Sequence, residues 1–141
     1  MTHGAQPVHA TAVSIKGNGV LLIGPSGAGK SDLALRLIDR GAVLICDDRV
    51  IVDTSTLPPL LRPAHNISGK IEVRGIGIID MPAIGEIPLA LCVMLDETVP
   101  RIPEAQATHI INGVAVPKLS LDPFAASAPI KIELALKLVI S

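Results

Sequence analysis

Aromatic side chains are all but missing from this sequence. Its 141 residues hold one phenylalanine, Phe124, and no tryptophan or tyrosine. The core must therefore be aliphatic, and the stacking platforms on which single-stranded nucleic acid is bound are lacking. An excess of charge of either sign is lacking too. Twelve Lys and Arg residues stand against 13 Asp and Glu, a formal net charge of −1, which argues against nucleic acid as the main partner. Cysteine is scarce. Cys46 and Cys92 lie far apart in apolar runs, without C-x-x-C spacing, and read as reduced core thiols of a cytoplasmic protein. A disulfide or a shared metal between them stays open. Met1-Thr2-His3-Gly4 lacks the basic-then-apolar pattern of an export signal. Mean hydropathy is high at +0.55, yet Pro, Gly and charges cut every apolar run short of membrane-spanning length, so no membrane association is expected. There is no internal repeat and no low-complexity segment. The length suits one domain over residues 1–141, large enough to bury a core.

The informative stretch is Gly24-Pro25-Ser26-Gly27-Ala28-Gly29-Lys30-Ser31, which fits G-x-x-x-x-G-K-[ST], the phosphate-binding P-loop. The apolar run Val20-Leu21-Leu22-Ile23 precedes it. A helical pattern follows from Ser31 to Arg40, with Leu33, Leu37 and Ala34, Ile38 as its buried stripe and Gly41 as its stop. The glycines let backbone N–H groups wrap a phosphate, and the helix N-terminus adds partial positive charge. Lys30 suits the β- and γ-phosphates of a nucleotide, and the Ser31 hydroxyl suits Mg²⁺. A chance glycine-rich turn is the competing reading, and the strand before and helix after weigh against it.

Around this centre, residues 1–6 read as a loose leader and Val8–Ile15 as a strand. That strand pairs with Val20–Ile23 through the turn signal Lys16-Gly17-Asn18-Gly19. Ala42–Cys46 and Arg49–Asp53 read as short strands on either side of Asp47-Asp48. Thr54–Pro63, with its prolines, reads as a loop or sheet edge. Ile87–Leu95 suits a strand buried on both faces. Asn112-Gly113 marks a hairpin within His109–Val116. Leu119–Leu121 reads as one further strand, and Ile130–Ile140 as a final helix with Ile132, Leu136, Ile140 and Leu134, Leu138 at helical spacing. Many strands against two helices give an α/β or α+β domain with a mixed sheet.

Several side chains carry candidate chemistry. Asp47-Asp48 ends the strand after the P-loop helix. Strand C-termini and the P-loop gather at one sheet edge, so the pair should face the phosphates. One carboxylate can hold or orient Mg²⁺, and the other can act as general base on a hydroxyl. An acidic turn with no function is the bland reading. Glu72 and Arg74 precede Gly75-x-Gly77 and, on a strand, share a face. They read equally as a solvated ion pair or as a metal carboxylate beside an anion-binding arginine. His9 lies on the strand beside the P-loop strand, and Arg101 lies in a Pro-flanked loop. A lone residue of either type is more often simply solvated.

Taken together, His9, the stretch Gly19–Leu35, Gly41 through Asp47-Asp48, and Ile71-Glu72-Val73-Arg74-Gly75-Ile76-Gly77-Ile78-Ile79 resemble the HPr kinase/phosphorylases. The early Asp-Asp and the I-E-x-R-G-x-G-I-I block carry most of that resemblance, because the P-loop is shared by very many proteins. It implies a core similar to that of phosphoenolpyruvate carboxykinase and a hexamer. It also implies a bifunctional enzyme that phosphorylates a serine of the phosphocarrier HPr from ATP or pyrophosphate and removes that phosphate by phosphorolysis. By position, Gly24–Ser31 would bind the donor phosphates, Ser31 and Glu72 would hold Mg²⁺, and Asp47-Asp48 would supply the general base. His9 would sit beside the attacking phosphate or that base, Lys30 on the phosphates, and Arg101 would be the loop arginine. Two departures are visible. The resemblance begins almost at residue 1, as expected of a short form with only the catalytic domain. In addition, Asp122–Pro129 lacks the Arg and Gly that the family carries there for phosphorolysis. The alternative function is a non-catalytic P-loop module that senses nucleotide or phosphate through a partner.

Overall fold

In the computed structural model, which describes residues 4–64, 68–102 and 107–140, eleven strands and two helices follow one another. They are β1 (Ala5–Val8), β2 (Ala10–Ile15), β3 (Asn18–Ile23), α1 (Lys30–Asp39), β4 (Val43–Cys46), β5 (Val50–Asp53), β6 (Leu60–Pro63), β7 (Lys70–Val73), β8 (Gly77–Asp80), β9 (Ile87–Met94), β10 (Thr108–Ile111), β11 (Val114–Ser120) and α2 (Ala128–Ile140). A nine-stranded mixed sheet runs β1-β5-β6-β9-β3-β2-β4, with β11 joined in parallel to β9 and β10 paired to β11. β7 and β8 form a separate hairpin. This is the expected α/β architecture.

Its strands bury opposite faces in two aliphatic layers. Val20, Leu22, Leu91 and Val93 pack with Leu33 and Leu37 of α1 and Ile132 and Leu136 of α2. Leu21, Cys92 and Met94 face Val50, Val52 and Leu61 of the outer strands and Val116 of β11. This is the alternation a two-sided strand requires. Both cysteines are buried and free, and desolvation pushes the Cys92 thiol up to about 12.

Local chemistry accounts for the joints. Lys16 and Gly17 both take positive φ, 52° and 84°, closing β2 onto β3 as a two-residue hairpin. Asn112 and Gly113, at 47° and 84°, do the same for β10 and β11. α1 ends where the Gly41 and Ala42 N–H groups return to the Ile38 and Leu37 carbonyls, with Gly41 at φ 111°. Arg40 and Glu133 pair at 2.7 Å and link the two helices.

Several expectations change. Ala5 and Gln6 are strand, paired to Asp53 and Val52, rather than leader. The expected strand Val8–Ile15 breaks at His9, which separates β1 from β2. Leu60–Pro63 is an inner strand between β5 and β9, not a loop or edge. Proline is tolerated there because β6 is short and pairs with β9 only through Leu60 and Leu61. Leu119 continues β11 rather than starting a new strand. In α2, Ile132 and Leu136 are buried, whereas Leu134, Leu138 and Ile140 stay exposed. Gly19 is not part of the turn but lies in β3. A Cβ there would meet the Pro88 carbonyl oxygen at 2.8 Å and Leu89 Cα at 3.3 Å. Because the obstacle is backbone, Gly19→Ala is expected to cost about 1–3 kcal/mol. A denaturation midpoint equal to that of the unsubstituted protein would show that β3 and β9 can part freely.

Among the described residues no helix is long and apolar enough to cross a membrane.

Candidate active site

Strand direction assembles the site. β3 and β9 are parallel, β11 is parallel to β9, and β4 is antiparallel to β2, which is antiparallel to β3. The C-termini of β3, β4, β9 and β11 therefore reach one sheet edge. The P-loop leaves β3 there, Asp47-Asp48 leaves β4, and Asp122–Ser127 leaves β11. The expectation that the acidic pair lies beside the P-loop holds, although an antiparallel strand, β2, runs between β3 and β4.

A bulge sets the face on which the first aspartate points. Val13 pairs with Leu44 and Ala12 with Cys46, so Ile45 is the extra residue. Leu44 faces the helix layer, whereas Ile45 and Cys46 both belong to the opposite layer. Strict alternation would then turn Asp47 away from α1. The bulge turns it toward α1, as bulges near functional sites do. Asp47 is 7 % exposed and accepts three hydrogen bonds. The Thr11 and Ser31 hydroxyls donate to Oδ1 at 2.9 and 2.6 Å, and the Glu72 backbone N–H donates to Oδ2 at 3.0 Å. One carboxylate thus joins β2, α1 and β7.

Asp48 is placed differently. Its φ is 65°, and the Arg49 N–H reaches back to the Asp47 carbonyl at 2.7 Å, so it occupies the centre of a three-residue turn. Its N–H donates to Thr11 Oγ1 at 3.0 Å. Its side chain is 66 % exposed, and its Oδ1 lies 2.8 Å from His9 Nε2. The strained backbone lifts this carboxylate out of the sheet edge while the one before it stays buried.

The P-loop supplies the other wall. Gly27 and Gly29 take φ values of 85° and 95°, a conformation other residues adopt only with strain. Ala28 N–H closes the turn onto the Pro25 carbonyl. Gly24 lies so close to Ala28 and Leu95 that a Cβ would meet them at 2.9 and 3.3 Å. The buried Lys30 ammonium donates to the Gly24 and Pro25 carbonyls at 2.8 and 3.0 Å, which uses two of its three N–H donors.

A cavity of about 390 Å³ opens between these walls. Ser26, Gly27, Gly29, Lys30 and Ser31 line it with Asp48, Glu72 and Arg74, and Asp32, Leu35, Val73 and Phe124 complete it. A second, shallower cleft of about 310 Å³ is lined by Pro7, Val8, His9, Asp48 and Arg49. Asp48 borders both. Of the residues singled out by sequence, Gly24, Pro25, Ala28 and Asp47 do not line the cavity; Asp47 reaches it through Ser31 and Glu72, and His9 through Asp48. Arg101 is exposed and lines neither opening. Glu72 and Arg74 do not share a strand face, because β7 ends at Val73 and Arg74 lies in the turn. Nor do they form an ion pair with each other among the described residues. Both line the cavity instead.

Two contributors are not legible in the sequence. Thr11 holds both aspartates, and its only signal is a hydroxyl in a strand that is apolar apart from it and Ser14, beside the P-loop strand. Phe124 lines the cavity although 70 % exposed.

Hydroxyl and carboxylate oxygens are the donors a hard divalent cation takes. Ser31, oriented by Asp47, and Glu72, held at its backbone by the same carboxylate, offer two such oxygens on the cavity wall. The described residues contain no cluster of three His, Cys, Asp or Glu able to bind a metal without help.

A strand, a glycine-rich turn and a helix in this order, with acidic residues on a nearby parallel strand, define the P-loop class of phosphate-handling domains. Within that class the chain belongs to the HPr serine kinase C-terminal domain family, whose model matches residues 3–132. It is 37 % identical to an HPr kinase/phosphorylase of Lacticaseibacillus casei, over 94 % of this chain and 44 % of that protein. It is 40 % identical to one of Limosilactobacillus reuteri, over 81 % and 40 %. The chain therefore spans less than half the length of these relatives. Its fold is similar to that of the Hpr(Ser) kinase/phosphatase from Coxiella burnetii, with a TM-score of 0.80 at 28 % identity, covering 94 % of this chain and 89 % of that one.

Proposed function

We propose that residues 1–141 form a single cytoplasmic phosphotransferase domain that moves the γ-phosphoryl group of ATP to a serine hydroxyl of an HPr-type phosphocarrier. The observation that carries this reading is that a P-loop and an exposed, backbone-lifted carboxylate border one cavity. The names of its relatives supply the acceptor.

The chain's own groups divide the work as follows. P-loop N–H groups and the N-terminus of α1 hold the donor phosphates. Lys30, anchored on two carbonyls, directs its remaining N–H to a phosphate oxygen. Asp48 accepts the proton of the serine hydroxyl as its oxygen bonds to phosphorus and the bond to the ADP oxygen breaks. His9 fixes the direction of that carboxylate. Asp47 is left as the orienting residue, because both its oxygens already accept donors. Ser31 and Glu72 would hold Mg²⁺, which when bound neutralises phosphate charge. Arg74 offers a further cation to the phosphates, and the second cleft beside Asp48 and Arg49 suits the approach of the acceptor serine. Assembly into a hexamer, a contribution from Arg101, and the reverse phosphorolysis belong to the same proposal by family membership.

The test is to incubate the protein with Mg²⁺, ATP and HPr and to measure the mass of HPr. One added phosphate on serine is the expected result, and unmodified HPr would overturn the kinase reading. Nucleotide binding without transfer would favour instead a nucleotide-sensing module that acts through a partner.

A further inference from the structure

The only aromatic side chain of the protein is outside its core. Phe124 is 70 % exposed and lines the cavity that holds the P-loop. Exposure alone does not set it apart, since Leu57, Ile76, Ile102 and Leu138 are exposed at least as much; its place on the wall of the phosphate-binding cavity does. Its position is fixed by several contacts. Phe124 N–H donates to Asp122 Oδ1 at 2.9 Å, and Ala125 N–H returns to the Asp122 carbonyl at 3.3 Å, so the segment is a closed turn. Arg36 of α1 clamps this turn by donating to the Pro123 and Ala125 carbonyls, and its Nε pairs with Asp32 at 3.1 Å. The ring rests on the last P-loop glycine. A Cβ at Gly29 would meet Phe124 at 3.2 and 3.4 Å and Pro123 at 3.6 Å. The ring is thus held against the phosphate-binding turn, with Leu35 of α1 as a second apolar member of the same cavity lining.

We propose that Phe124 is the platform on which the base of the donor nucleotide stacks. A nucleoside triphosphate presents two chemistries to one cavity: charged phosphates, met by Lys30, Ser31 and Arg74, and a flat apolar base, met by Phe124 and Leu35. The ring leaves no hydrogen bond to distinguish bases, so the platform favours any purine nucleotide over a donor that has no base. In this chain Asp122–Pro129, free of Arg and Gly, therefore serves nucleotide retention. The inference rests on the P-loop reading of the cavity and adds the base site to it.

Calorimetric binding of ATP and of inorganic pyrophosphate, each with Mg²⁺, tests it on the unsubstituted protein and on Phe124→Ala and Phe124→Trp. Phe124→Ala is expected to weaken ATP about ten-fold, the value of roughly one stacked base, and to leave pyrophosphate binding unchanged. Phe124→Trp keeps ATP affinity. Equal weakening of both donors, or no weakening of ATP, overturns the base platform while leaving the P-loop reading intact. If the unsubstituted protein binds neither donor, the phosphate-site reading fails and the platform with it. If Phe124→Ala binds ATP normally but weakens only HPr phosphorylation at limiting HPr, the ring serves the acceptor protein and the proposal is wrong.

Discussion

Asp48→Asn is expected to lower phosphate transfer to HPr by about a thousand-fold, within the range lost when a general base is removed, with little change in stability or in ATP affinity. The substitution is close to isosteric and isolates the proton-accepting role. Asp48 has a φ of 65°, a region that asparagine tolerates better than most residues. The turn that lifts the side chain into the cavity should survive. The backbone N–H bond to Thr11 does not depend on the side chain, and the carboxylate is 66 % exposed, so its loss leaves no buried donor unpaired. His9 can still hydrogen-bond the amide oxygen. What an amide cannot do is take up the serine proton. Single-turnover transfer followed by mass measurement, beside a thermal melt, separates these effects. Transfer within a few-fold of the unsubstituted rate would remove Asp48 from the proposed mechanism.

The neighbouring aspartate should respond in the opposite sense. Asp47→Ala is expected to destabilise the fold by about 3 kcal/mol, because the Thr11 hydroxyl, the Ser31 hydroxyl and the Glu72 N–H all lose their acceptor at a buried position. Relief of the desolvated charge offsets part of that loss. The same change frees Ser31 on the cavity wall and the β7 backbone that carries Glu72, so phosphate affinity should fall together with stability. Urea unfolding reads the first effect and ATP titration the second. A variant as stable as the unsubstituted protein would mean that the three donors find water or other partners, and that Asp47 does not join these elements. Together the two substitutions assign different roles to adjacent residues of the same type: one acts by exposure, the other by burial.

Much of this was legible in the sequence for local reasons. The P-loop, its helix and the Gly41 stop follow from residue order, since glycine placement, helix spacing and capping act over a few residues. The strands of β3 and β9 are visible as short aliphatic runs, and Asn112-Gly113 specifies its own turn. The prolines around β6 misled, because a proline restricts only one hydrogen-bonding direction and a four-residue strand can accommodate that. The strand character of Ala5 and Gln6 was unreadable because it comes from pairing with β5, forty-odd residues away in the chain.

By itself, then, the sequence determined the phosphate-binding loop, the two helices, the mixed sheet, and the presence of an acidic pair soon after the loop. It could not rank Asp47 against Asp48, because side-chain type and spacing are the same for both. That was decided by a one-residue bulge at Ile45 and a positive φ at Asp48, which bury the first carboxylate under three donors and expose the second. It likewise gave no sign that Thr11 would join both aspartates, or that Phe124 would leave the core to lie on Gly29. Those placements depend on which strand ends meet at one sheet edge, and that is fixed by pairings between segments far apart in the chain.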